Sequence, residues 1–214
     1  MIEFELIQKF LEGIENPVIV DLGAADLSHS VQFRNMFDRA KIYSIEPDDF
    51  YRERNEFNSE RFRLELLKGV ISGKTERVLF YPSKTYGTID TWPGSGSIYK
   101  PNHEVIENKY RGLTFDEVGY EVDSYSWDDF VDKYEIERVD WLHIDAQGAE
   151  FDVISNITKT YPNFIFAEVC EFDTYHTGRN RFDFEMMMTN QGYTLIWDDG
   201  QDALYIRAKK VVEL

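Results

Sequence analysis

Cysteine is almost absent: Cys170 is the only one in 214 residues. One thiol excludes an intrachain disulfide, and a chain of this size without bridges fits a reducing compartment. The neighbours of Cys170 are apolar or acidic, so nothing marks it as a reactive thiol. Long apolar runs are missing too. Met1 to Gly13 is interrupted by Glu3, Glu5, Lys9 and Glu12, which excludes the apolar core of a signal peptide. No other stretch is long and apolar enough to span a bilayer. Positive charge is in deficit, with 23 Lys and Arg against 40 Asp and Glu, for a net charge of -17. Such a chain is repelled by nucleic-acid backbones and anionic membranes. The excess acid reads as a solvated surface. The expectation is a soluble cytoplasmic protein with neither a nucleic-acid nor a membrane partner.

What is present is an alternation of strand and helix signals. Phe4, Leu6, Ile7, Phe10, Leu11 and Ile14 repeat at helical spacing, so residues 3–14 predict an amphipathic helix that Asn16-Pro17 stops. Val18 to Leu22 is a short buried strand, and Ser28 or Ser30 is expected to cap the helix after it. Lys41 to Glu46 is a second strand, and Asp48 or Asp49 caps a helix to about Phe57. Residues 64–72 predict a third strand and 76–82 a fourth, joined as a hairpin through Gly73-Lys74-Thr75. Residues 83–119 lack periodicity, and a loop this long is commonly functional. Strand and helix signals return with Tyr120 to Tyr134, where Ser126 is the expected cap. Strands follow at 139–145 and 163–172, with a helix from Gly148 to about Thr158 between them. A helix from Phe182 stops at Gly192, and two last strands, 193–199 and 202–208, meet at Gly200-Gln201. Alternation implies a mostly parallel α/β sheet covered by helices on both faces, and the final hairpin forces one strand to run antiparallel. The whole chain, 1–214, reads as one domain with 83–119 as an insertion.

In such a sheet, ligands sit beyond the carboxyl ends of the strands. Asp21-Leu22-Gly23-Ala24 ends the first strand, and Gly23 permits a tight turn with close backbone approach. Glu46 ends the second strand 25 residues after Asp21, where a carboxylate can accept both hydroxyls of a ribose. The glycines of G-x-G-x-x-G, which hold a pyrophosphate, are missing: Ala25 and Leu27 stand instead. Asp21 and Asp26 would also repel a pyrophosphate. The loop therefore suits a cationic nucleoside, and S-adenosylmethionine, with its sulfonium and ammonium, fits. Two more strand ends carry His143, Asp145 and Glu168. His143 and Asp145, two residues apart, are expected on one side of their strand.

With these motifs the chain resembles the FkbM-type methyltransferases, a branch of the S-adenosylmethionine-dependent class I methyltransferases. "VIVDLGAA", "IYSIEP" and above all "VDWLHIDAQGAEFDVI" are similar to the family's DxGA, EP and LKIDVEGAE segments, which a strand ending in glutamate follows. The resemblance implies a Rossmann-like class I methyltransferase fold, with a mostly parallel seven-stranded sheet and a C-terminal antiparallel hairpin. Three positions depart from the pattern. Leu27 replaces a glycine, His143 a lysine and Gln147 a glutamate, while Gly148, Ala149 and Glu150 are kept.

The implied reaction is methyl transfer to a hydroxyl of a sugar or small natural product. The expected cofactor contacts are Asp21, Gly23 and Ala24 at the methionine end, Glu46 at the ribose, and Pro47, Val70 and Asp145 around them. An alcohol must lose its proton as the new bond forms, which is general-base work. His143 is a candidate because imidazole titrates near neutrality, and it equally reads as a hydrogen-bonded strand histidine. Asp145 and Glu168 are the carboxylate candidates, and His176 reads as a surface histidine. His143, Asp145 and Glu168 are ligand types for Mg, Mn or Zn, but their spacing matches no metal motif and no metal is expected there. Tyr86, Trp92, Tyr99 and Tyr110, around Ser95-Gly96-Ser97, are expected to cover the acceptor. Two alternatives stand beside this one: a non-catalytic cofactor-binding or partner-binding module, and an NAD-dependent oxidoreductase. The N-terminal helix and terminal strands are also suited to a dimer interface.

Overall fold

The computed structural model describes residues 2–85, 94–109, 112–169 and 174–208. In chain order the elements are α1 (Ile2–Leu11), β1 (Val18–Leu22), α2 (Ser28–Met36), β2 (Lys41–Glu46), α3 (Arg52–Phe62), β3 (Glu65–Lys68), β4 (Val70–Ser72), β5 (Glu76–Phe80), β6 (Ser83–Thr85) and α4 (His103–Lys109). They continue with β7 (Leu113–Phe115), β8 (Tyr120–Ser126), α5 (Trp127–Lys133), β9 (Trp141–Ile144), α6 (Glu150–Ser155), β10 (Phe164–Glu168), α7 (Arg181–Asn190), β11 (Tyr193–Asp198) and β12 (Asp202–Arg207).

Seven strands form the main sheet in the order β3-β2-β1-β9-β10-β12-β11. The first five run parallel, and β12 enters antiparallel between β10 and β11. This is the expected α/β sheet with its terminal hairpin. Strand order reverses between β1 and β9, so the carboxyl ends of these strands frame a crevice.

Side-chain alternation sorts the core into two layers. Ile19, Ile42, Trp141, Phe166 and Leu204 face α1 and α2, where Ile7, Leu11, Leu27 and Phe33 meet them. Val20, Leu22, Ile45, Leu142, Ile144 and Ile165 face the other way, against Trp127 and Phe130 of α5, Val153 and Ile154 of α6, and Met188 of α7.

Three local expectations change. The predicted third strand is two. At Gly69, with φ 146°, the chain leaves the main sheet, and a Cβ there would lie 2.5 Å from the Asp123 carbonyl oxygen. β4 therefore pairs with β8, parallel, in a second sheet. No hairpin joins the third and fourth predicted strands, because β8 lies between β4 and β5. Neither Ser28 nor Ser30 caps α2. Leu27 is the cap residue, in the left-handed conformation (φ 63°), and Asp26 accepts the Ser28 N–H at 3.0 Å. Two expectations hold: Asp48 accepts the Phe50 N–H ahead of α3, and Ser126 caps α5 by accepting the Asp129 N–H. Within 83–119, the described residues include β6, α4 and β7.

Candidate active site

The carboxyl ends of β1, β2 and β9 surround a cavity at the point where the strand order reverses, the place where α/β sheets bind ligands. Gly23 forms its floor beside the β9 end. A Cβ on Gly23 would sit 1.9 Å from the carbonyl oxygen of Asp145, so two strand ends approach here as only glycine permits. Glu46, Pro47 and Val70 line the cavity, as does Asp145. The roof is Gly94, Gly96, Ser97 and Ile98. A bridge between Tyr81 and Ser97 anchors that segment, and the Ser97 hydroxyl donates to the Gln147 carbonyl at 2.6 Å.

Glu46 is held in place by the backbone. One carboxylate oxygen accepts the Ala25 N–H and the other the Asp48 N–H, both at 2.7 Å. Each oxygen keeps a lone pair for a further donor. Burial pushes its carboxyl up to about 8, against these two backbone donors, which favour the charge.

A second cavity lies on the other side of Gln147 and is lined by Glu168, Tyr175, Thr177 and Arg179 among others. Gln147 is the wall between them. Its amide donates to Asp145 and, at 3.1 Å, to Glu168, while its oxygen accepts from Tyr175. A glutamate could not donate to two carboxylates, so the departure from the family's pattern has a structural account here. Burial, and then the neighbouring Glu168 charge, hold the Asp145 carboxyl well above the usual carboxylate range. Glu150 accepts the Ala146 and Gly148 N–H groups at 2.7 and 2.9 Å and so shapes the Asp145–Ala149 loop; burial raises its carboxyl to about 7.

Three expected site residues lie elsewhere. Asp21 is fully buried on the opposite face of the sheet, toward α1 and α2. Its carboxylate meets Ser30 at 2.5 Å and His143 Nδ1 at 2.7 Å, and does not line the cavity. Burial would raise its carboxyl, but His143 and Ser30 outweigh that and hold it below the usual range. His143 is likewise buried behind the sheet. Burial opposes its protonation, yet the Glu3 and Asp21 carboxylates push it up to about 10, which is unlike a base poised near neutrality. His143 and Asp145 do not share a face because β9 ends at Ile144, and strand alternation ends with it. That separation also breaks up the His143, Asp145 and Glu168 metal set. Ala24 packs in the core near α2. Its N–H and that of Gly23 both donate to the Ile45 carbonyl at 3.1 Å, so neither is offered to a ligand.

His176 is exposed. Tyr99 packs beside Ile106, Phe115 and Tyr175 and donates its hydroxyl to Asp152. Tyr86, Trp92, Tyr110 and Cys170 lie outside the described residues. Tyr175 follows the Glu168 strand, in a loop the sequence marks as polar, whereas Thr177 and Arg179 escaped the sequence analysis because a loop residue carries no periodicity to mark its direction.

Residues 21–195 match the methyltransferase FkbM domain family. The chain belongs to this family. A curated relative, the 2-O-methyltransferase NoeI of Sinorhizobium fredii (strain NBRC 101917 / NGR234), is 32% identical over 165 residues, covering 75% of this chain and 66% of its own length. The chain thus spans just under two thirds of that relative. A crystal structure of a methyltransferase FkbM from Methylobacillus flagellatus KT superposes with a TM-score of 0.53 at 13% identity, over 90% of this chain and 44% of the other. Precorrin 8w decarboxylase of Methanobacterium thermoautotrophicum gives 0.51 at 12% identity, over 97% and 90%. These likenesses show the class I methyltransferase fold. In this family S-adenosylmethionine is the methyl donor. The first cavity fits it: Glu46 has two oriented oxygens that could accept from a ribose, Gly23 opens the floor, and among the described residues no Lys or Arg lines the space to favour a pyrophosphate. The oxidoreductase alternative loses its basis with this assignment.

Proposed function

We propose that the chain is an O-methyltransferase acting on a hydroxyl of a sugar or another small polar ring. The observation that carries this is the pair of cavities meeting at Gln147, with Asp145 facing one and Glu168 facing the other. That the NoeI relative is a 2-O-methyltransferase supports O-methylation. S-adenosylmethionine, when bound, supplies an electrophilic methyl group, so much of the catalysis is positioning for in-line attack.

This chain's residues divide that work. Glu46 takes the ribose hydroxyls on its two remaining lone pairs. Pro47 and Val70 flank the nucleoside. Tyr175, Thr177 and Arg179 present hydroxyls and a guanidinium to a polyhydroxylated acceptor in the second cavity, beside the aromatic faces of Phe151 and Phe184. The reacting hydroxyl reaches past Gln147 from the second cavity to Asp145, which takes its proton as the oxygen attacks the methyl carbon and the C–S bond to the sulfonium breaks. A carboxyl held above its ordinary range is a stronger base once ionised, as general-base catalysis near neutral pH requires. Gln147 fixes Asp145 relative to Glu168. His143 has no part in the chemistry, so its departure from the family's lysine does not bear on turnover.

Calorimetric titration with S-adenosylhomocysteine, followed by a screen of mono- and oligosaccharides with radiolabelled S-adenosylmethionine, tests this. Binding should weaken at least about tenfold in Glu46→Ala, on the order of two charge-assisted hydrogen bonds. Asp145→Asn should bind the ligand but lose about a hundredfold or more in turnover. Unchanged affinity in Glu46→Ala would overturn the site, and full turnover in Asp145→Asn would overturn the base.

A further inference from the structure

On the face of the sheet opposite the cavities, α1, α2 and β9 bring Glu3, His29 and His143 together. Each offers one ligand atom, and the three atoms lie within 4.8 Å of one another. Glu3 is buried to 1% exposure, yet its Oε2 has no hydrogen-bond partner. Its other oxygen accepts the Trp141 indole N–H at 3.2 Å, which aims Oε2 toward His143 Nε2, 4.0 Å away. A buried carboxylate oxygen without a donor is expensive and needs an explanation. The rings of His29 and His143 stand edge to face, with centroids 4.8 Å apart.

His143 is oriented in the way metal-binding histidines are. Its Nδ1 is tied to Asp21 at 2.7 Å, and Asp21 is in turn held by Ser30. A carboxylate on one ring nitrogen orients the ring and turns the other toward a cation, which would take the place of the proton that Glu3 and Asp21 otherwise hold on His143. Asp202 adds negative charge near both Glu3 and His143.

We infer that Glu3, His29 and His143 form a binding site for a divalent first-row transition cation, zinc in the first instance. Two imidazoles and a carboxylate are a donor set of that class. Tetrahedral bonds of about 2.0–2.1 Å set ligand atoms about 3.4 Å apart, so Glu3 and His143 need close by only about 0.6 Å. His29 is partly exposed, which gives the ion a way in. The cation would lie behind the sheet and not in the cavities. Its role is to pin α1 and α2 to β1 and β9, and binding is read out as stability.

The test uses the full chain, stripped with chelator and titrated with Co²⁺ and with Zn²⁺. Expected are one equivalent bound, visible d–d bands with Co²⁺, and a raised Tm with either ion. Glu3→Gln and His29→Gln should each weaken binding by at least about tenfold and abolish the rise in Tm. Both keep side-chain volume, and His29→Gln alters a partly exposed position, so circular dichroism should show folded protein. If the stripped wild type takes up no stoichiometric metal, the inference fails. It fails equally if both variants bind as tightly as the wild type, because the ion then sits on surface carboxylates.

Discussion

As the proposed ribose ligand, Glu46 would couple cofactor binding to protons. Burial holds its carboxyl at about 8, so at neutral pH the free protein keeps a proton there. Two ribose hydroxyls donate better to the ionised form, and binding must then release that proton. Affinity for S-adenosylhomocysteine should therefore rise with pH from 6 to about 8, by up to about tenfold per unit, and level off above. For folding the sign is reversed. A folded-state pKa raised above the unfolded value contributes stability that is fully present below about 4.5 and is lost as pH rises toward 8. Glu46→Gln should flatten both profiles. Calorimetry in buffers of different ionisation enthalpy counts the proton, and an affinity independent of pH contradicts this coupling.

Leu27 tests a different residue-scale balance. It holds a left-handed conformation at φ 63° where the family pattern has glycine, and its side chain is fully buried against Phe33 and Ile7. The backbone strain is worth about 1 kcal/mol, and the lost burial about 3 kcal/mol. Packing wins, so Leu27→Gly should destabilise the chain by about 2 kcal/mol in urea unfolding. A gain in stability would show that strain dominates.

At the scale of elements, the Asp145–Ala149 loop depends on one neutral amide between two acids. Gln147→Glu places a third carboxylate beside Asp145 and Glu168 and removes both donors. The expected loss is about 2 kcal/mol, or roughly 4–8 °C in Tm at pH 8. The loss should shrink as the pH is lowered and protonation of the cluster relieves the repulsion. An unchanged Tm at pH 8 would refute the bridging role. The element scale also shows what was legible in the sequence. Runs such as Val18–Leu22 and Lys41–Glu46 fix strands because β-branched apolar residues bounded by acid, glycine or proline have few alternatives. Gly23, Glu46, Pro47, Val70 and Asp145 were legible as cavity residues because strand ends point there by rule. Asp21 and His143 were misplaced because the face they occupy depends on where each strand starts and stops. β4 was missed because its partner, β8, is some 50 residues away, and short-range pattern does not encode such a pairing.

For the whole molecule, a net charge of -17 sets the terms. Like charges spread over the surface repel in the compact state. The surface ion pairs Arg39–Glu15, Arg63–Asp38 and Arg77–Asp123 are exposed and contribute little each. Raising ionic strength from about 0.01 M to about 0.15 M shortens the screening length from roughly 30 to 8 Å. Tm should rise by a few degrees over that range, because screening removes more repulsion than attraction. A fall in Tm with salt would mean that the pairs outweigh the excess charge.

The roof over the first cavity is also part of the second. Ser97 holds the Gln147 carbonyl, and the Tyr175 hydroxyl, which donates to the Gln147 side chain, lies 3.0 Å from the Ser95 carbonyl. On the proposed function, moving Gly94–Ile98 to exchange the methyl donor would disturb the wall against which the acceptor rests. An ordered cycle is therefore predicted, in which the donor enters first and its demethylated product leaves last, and product-inhibition kinetics checks it.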